Sequence, residues 1–204
     1  MRKHLLLLIF LAFAMCPHRL AAADKPSEYA TLLAALKAGD TQIDYARLRL
    51  SYMDSPEYKQ AKDTSDAEKA MTEALNAKDY TGALKEAETV LESDYVSIDA
   101  HFVAFVANRE LGAADKAEFH LAVFRGLIDS IRNSGDGLST QTAWVVIDVH
   151  EEYVLLRTLG FQPSDQSLIQ KDGHSYDEMK VKSEDGKQQT FYFNVDIPFK
   201  HYGF

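Results

Sequence analysis

"DAHFVAFVANRELGAADKAEFHLAVFRGL", residues 99–127, decides how the chain is built. It predicts two helices meeting at Gly112, because glycine lets a chain reverse sharply after a helix. Ala117 then lets the two helices approach closely, which a large side chain would prevent. An earlier stretch, "NAKDYTGALKEAETVLESD" (residues 76–94), has the same character, with Tyr80, Ala83, Ala87 and Leu91 at helical spacing.

The two stretches form an internal repeat that resembles the tetratricopeptide repeat. Tyr80, Ala83, Ala87 and Leu91 match its aromatic, small, small and leucine positions. Tyr95 stands where a proline is usual. In the second copy His101 takes the first-helix aromatic position, Gly112 the turn and Ala117 the small position. The resemblance implies stacked helical hairpins with a groove that receives peptide segments. Two repeats do not usually stand alone, so the neighbouring segments would act as caps.

Outward from the repeat, the N-terminal side is helical. Tyr29, Leu32, Leu33 and Leu36 share helical spacing up to a stop at Gly39. Asp44 can cap "YARLRLSYM", where Tyr45, Leu48 and Tyr52 share a face. "DSPEYKQAKDTSD" reads as a polar loop, and Asp66 as the cap of the next helix.

Residues 1–23 read as a signal peptide. A basic Met1-Arg2-Lys3 precedes an apolar run over residues 5–15, and Ala21-Ala22-Ala23 offers small residues for cleavage before Asp24. Two rivals stay open, a lipoprotein at Cys16 and an uncleaved anchor. Met15 is large where a small residue is expected before a lipidated cysteine. The expected location is periplasmic or secreted, with no stable membrane anchor after cleavage. Losing Arg2, Lys3 and Arg19 lowers Lys+Arg from 22 to 19 against 31 Asp+Glu, and the net charge goes from -9 to -12. That balance argues against nucleic acid and anionic membranes as partners. The only cysteine leaves with the leader, so no thiol or disulfide chemistry is expected.

The pattern changes near "NSGDGLST", residues 133–140, dividing a helical region, 24–135, from a smaller α+β region, 138–204, which can pack as one domain. "TAWVVIDV" reads as a buried strand. "SYDEMKVK" and "KQQTFYFNVDIPF" read as a hairpin ended by Pro198, and "QSLIQK" as a further short strand. The expected fold class is α+β: helical hairpins packed on a small, mainly antiparallel sheet with one helix, which begins at "DVHEEYVLLRTLGF", residues 148–161.

That helix holds the densest group of reactive side chains. A zinc helix would read His-Glu-x-x-His, but Val154 stands at the second histidine position. Asp148 and Glu151 have the spacing of a capping box. His150 falls on the polar side with Arg157 and Thr158. Glu152 falls inside the apolar arc of Val149, Tyr153, Leu155, Leu156 and Leu159. There it is either paired with a cation or a backbone amide, or a functional acid with a raised pKa. His101 and His120 read as half-buried packing residues, and His174 as a turn residue beside Asp172 and Asp177. No phosphate loop or nucleophile elbow is present, and no cofactor or metal site is expected. Glu152, His150 and His174 are the only weak catalytic candidates. The aromatic strand Phe191-Tyr192-Phe193 reads as sheet core rather than a stacking surface.

"IDYARLRLSYMDSPEY", "TAWVVIDVHEEYVLLRTLGF", "DGHSYDEM" and "YFNVDIPF" together resemble an exported bacterial family, domain of unknown function 4919. The resemblance implies a signal-bearing protein with repeat-like helices and assigns no activity. Two functions of different kind are expected: a non-enzymatic envelope binding or scaffold protein that holds a protein or peptide partner in the helical groove, or a hydrolase with its site where helices meet sheet. The sequence leaves the oligomeric state open.

Overall fold

The computed structural model describes residues 25–202; the signal peptide expected over residues 1–23 lies outside them. The described residues begin with α1 (Glu28–Lys37) and α2 (Tyr45–Tyr52). Ser27 caps α1 by accepting from the Ala30 N–H, and Asp44 caps α2 through the Arg47 N–H. The polar loop expected next contains a single-turn helix, α3 (Pro56–Lys59), with Ser55 as its cap. A capping serine followed by proline at the first helical position is a helix start, a signal read only as a loop from sequence.

Four helices follow: α4 (Ser65–Asn76), α5 (Tyr80–Ser93), α6 (Ile98–Glu110) and α7 (Ala114–Arg132), each packed on the next. Asp66 is not the cap of α4. Thr64 holds that position, and Asp66 sits in the first turn, where a negative charge complements the exposed N–H groups. Gly112 takes φ +77° between α6 and α7, the left-handed conformation that glycine adopts freely. Ala83, Ala87, Ala100 and Ala104 are fully buried and Ala117 nearly so, which draws the helices together around Met71, Val90, Leu91 and Val103. On α7, Gly126 leaves room for Tyr45 of α2, whose ring lies 2.3 Å from where a β-carbon would stand.

The C-terminal half is a four-stranded sheet in the order β1-β4-β3-β2, built from β1 (Trp144–Val145), β2 (Phe161–Lys171), β3 (His174–Ser183) and β4 (Gln188–Asn194). β1 runs parallel to β4 and the other pairings are antiparallel. The buried run "TAWVVIDV" yields a strand of only two residues. β4 ends at Asn194, so Val146 and Ile147, though buried, have little ladder to join, and Asp148 starts a helix at once. "QSLIQK" is the end of the long strand β2, which Asp172 and Gly173 turn into β3 with positive φ at both residues. Pro198 does not simply end a strand, because it lies in the first turn of α9 (Asp196–Tyr202). Among the described residues the region therefore has two α-helices, α9 and α8 (Val149–Thr158), besides a 3-10 turn at Thr140–Thr142.

One apolar core spans both halves, joining Leu36, Leu48 and Leu127 to Trp144, Leu156, Met179 and Phe193. Phe191 and Phe193 face this core, as their alternation predicts. A buried polar node ties the halves further. Arg49 of α2, 2% exposed, donates to Glu151 of α8 from Nε (2.8 Å) and Nη2 (3.0 Å), to Ser130 of α7 (2.8 Å) and to the Val145 carbonyl (2.9 Å).

Candidate functional site

The N-terminus of α8 sets the site. Asp148 is its cap and accepts from the His150 N–H at 2.7 Å. Glu151 does more than the expected capping box on Asp148 asks of it. Its carboxylate accepts from the Ile147 N–H, one residue earlier, and pairs with Arg49. A buried guanidinium with a free fork attracts the carboxylate more strongly than one backbone N–H does.

The outer side of α8 meets α6. His150 Nε2 lies 2.6 Å from Asp99 Oδ2, and Arg157 pairs with Asp99 Oδ1, so one carboxylate takes both cations of that helix face. Burial alone would raise Asp99, but the bonds from His150 and Arg157 hold it below the usual carboxylate range. The same bond holds His150 above the usual imidazole range, against partial burial.

Between these helices lies a cleft of about 230 Å³. Met71 of α4, Val96 and Ile98 before and in α6, and Ile147 and Val154 around α8 give it apolar walls. Its polar edge is Glu68, Asp94, Asp99, Asp148, His150 and Glu151. Asp94 is in none of the ion pairs found among the described residues. Burial first, then the negative charges of Glu151, Asp148 and Glu68, raise it to about 7 against one backbone bond from Val96. A larger depression of about 770 Å³ lies among α3, α4, α5 and the loop before α4, but it is open and lined mainly by polar residues.

Glu152 points the other way, into the core beneath the sheet. It is fully buried and no donor reaches either oxygen, but in its protonated form it hydrogen-bonds the Asp177 carboxyl. The cation or backbone amide expected for it is absent, since Arg49 is taken by Glu151. Burial first, then the charge and close approach of Asp177, push it up to about 9, so at neutral pH it is a protonated acid. Asp177 is itself held by Gln166 (2.6 Å), which accepts from the Tyr153 hydroxyl.

Of the remaining histidines, His120 is half-buried as expected, while His174 and His101 differ from expectation. His174 pairs with Asp196 Oδ2 at 2.6 Å, not with Asp172 or Asp177. His101 is fully buried rather than half-buried. Its Nε2 donates to the Tyr95 carbonyl at 3.1 Å, which leaves Nδ1 to accept from His120 Nδ1 at 3.0 Å. Burial, and then the mutual repulsion of the rings, lowers His101 to about 3; burial and Lys116 lower His120 to about 4.

The structure thus places His150, Glu152 and His174 in three separate environments. It brings together Asp94, Asp99 and Glu68, which no sequence motif connects, because they come from three helical elements far from α8 in the chain. Among the described residues no group of three or more histidines, cysteines and acids is arranged to hold a metal, and no helix is long and apolar enough to cross a membrane.

No curated protein and no solved structure matches the chain. The family model described as Domain of unknown function (DUF4919) matches residues 20–203, a span that includes every described residue. The chain belongs to this family.

Proposed function

We propose that this is an exported, non-enzymatic binding or scaffold protein of the bacterial cell envelope, and that its recognition site is the cleft between α4, α6 and α8. The carrying observation is the cleft itself, with apolar walls and an acidic edge on which Asp94 has no cation. Such a site suits a protein or peptide partner that inserts a lysine or arginine side chain: the stem lies on Met71, Ile98 and Val154, and the charge meets Asp94. α8 lies against α6 and forms one side of this cleft. Export rests on the leader-like residues 1–23 alone.

The alternative, an envelope hydrolase at the helix–sheet junction, needs two or three reactive groups in one place. His150 and Asp94 line the cleft, but Glu152 is sealed from it and His174 is committed to Asp196. This separation favours binding over catalysis.

Fluorescence anisotropy with a panel of lysine- and arginine-containing peptides tests the proposal. Binding is expected to weaken with salt and to fall about tenfold in Asp94→Asn, which keeps the Val96 bond and removes the charge. Equal binding by Asp94→Asn, or preference for acidic peptides, would sink the idea.

A further inference from the structure

β2 is the outer strand of the sheet. All its ladder pairs run to β3, and among the described residues no backbone group of β2 hydrogen-bonds to backbone elsewhere. Residues 162–168, Gln170 and Lys171 are exposed. An open edge of this length invites another strand, and proteins commonly shield such edges with proline, bulges or charge. Here Pro163 and a register shift between Pro163 and Asp165 disrupt one end only. The rest of the edge, residues 165–171, is regular, and Leu168, 51% exposed, stands at its midpoint.

We infer that two copies of this protein pair antiparallel through β2, with Leu168 opposite its own counterpart. A twofold axis perpendicular to the sheet keeps each face continuous and sets residues equally distant from the centre opposite one another. Centred on Leu168, it places Asp165 opposite Lys171 of the second copy, and Lys171 opposite the second Asp165. Gln166 then meets Gln170, and Ser167 meets Ile169. Moving the axis one residue either way loses both ion pairs and leaves part of the regular edge unused. The register is therefore selected by charge as well as by length.

The groups are available for this exchange. Lys171 now donates to the Thr140 hydroxyl at 3.1 Å, a neutral partner that it would trade for a carboxylate. Asp165 accepts from Lys180 at 2.8 Å and would lie between two lysines. The two four-stranded sheets would join into one continuous sheet, with α8 on the same side in both copies.

Sedimentation equilibrium of the purified protein over a concentration series, with hydrogen exchange on the same samples, tests this inference. A reversible dimer is expected, with β2 amides gaining protection as concentration rises. Asp165→Lys and Lys171→Asp should each weaken the dimer about tenfold by opposing like charges twice, and the double exchange should restore it to within about threefold. A monomer at every concentration up to about 1 mM overturns the inference. So does a dimer indifferent to both charge reversals. Protection of β2 in a monomer overturns it too, because another segment then covers the edge.

Discussion

Replacing Glu152 with glutamine should make the protein more stable at neutral pH. Glu152 is fully buried beside Asp177, no donor or cation reaches its oxygens, and its pKa rises from an ordinary 4.5 to about 9. The unfolded chain therefore releases this proton first. Below pH 4.5 both states hold the proton and the group costs nothing. As pH rises from 4.5 towards 9, stability falls by about 1.4 kcal/mol per pH unit, and beyond 9 the loss is constant. At pH 7 the cost is about 3 kcal/mol, and at pH 9 about 6 kcal/mol. Glutamine has nearly the same shape and no charge at any pH. Its amide can donate to Asp177 as the protonated acid does, so that burial cost largely cancels. Urea unfolding of both proteins at pH 4.5, 7 and 8.5 measures the difference. The expected gain for Glu152→Gln is close to zero at pH 4.5, about 3 kcal/mol at pH 7 and larger at pH 8.5. A constant difference across that range, or destabilisation at pH 7, would refute the reasoning, because Glu152 would then be ionised in the fold with a cation beside it.

The buried ion pair gives the opposite sign: Glu151→Gln leaves Arg49 charged and sealed from water, and should cost about 3 kcal/mol or more by urea unfolding, while Arg49→Met with Glu151→Leu should recover much of that loss. The imidazole pair should remain neutral at pH 5, with His101 protonated on Nε2, as read from nitrogen-15 spectra of the ring; a charged His101 at that pH would contradict the burial and bonding described. Because its folded pKa is depressed from 6.5 to about 3, His101 should contribute stability above pH 6.5 and lose it as pH falls, by about 2 kcal/mol at pH 5, measured as the pH dependence that disappears in His101→Phe. In the cleft, Asp94 ionises near pH 7, so a cationic peptide should bind more tightly at pH 8 than at pH 6.

How much of this was legible in the sequence depends on how local each signal is. Gly112, Ala83 and Ala117 announce helix reversal and close packing because backbone conformation and side-chain size act within one hairpin. The alternation of Phe191 and Phe193 with Tyr192 likewise reports a face of one strand. "TAWVVIDV" misled because apolar, β-branched residues report burial, whereas a strand also needs a partner, and β4 ends after two ladder positions. The spacing of Asp148 and Glu151 fits a capping box, but Arg49, far away in the chain, decides where Glu151 points. Glu152 was visible as an acid on an apolar face, and its isolation followed from that same competition. The cleft was not visible at all. Asp94 closes α5, Asp99 opens α6 and Glu68 lies on α4, and each alone reads as an ordinary helix-end acid. Gly126 carried a readable hint, a glycine inside a helical pattern, whose reason is the Tyr45 ring packed against it.

The central claim is that the cleft between α4, α6 and α8 receives a cationic side chain. Methyl-detected NMR during titration with an arginine-containing peptide tests it most directly. Shifts confined to Met71, Ile98, Ile147 and Val154 are expected, increasing from pH 6 to pH 8 and lost in Asp94→Asn. Unchanged methyl signals at peptide concentrations of about 1 mM, or shifts centred elsewhere on the protein, would contradict it.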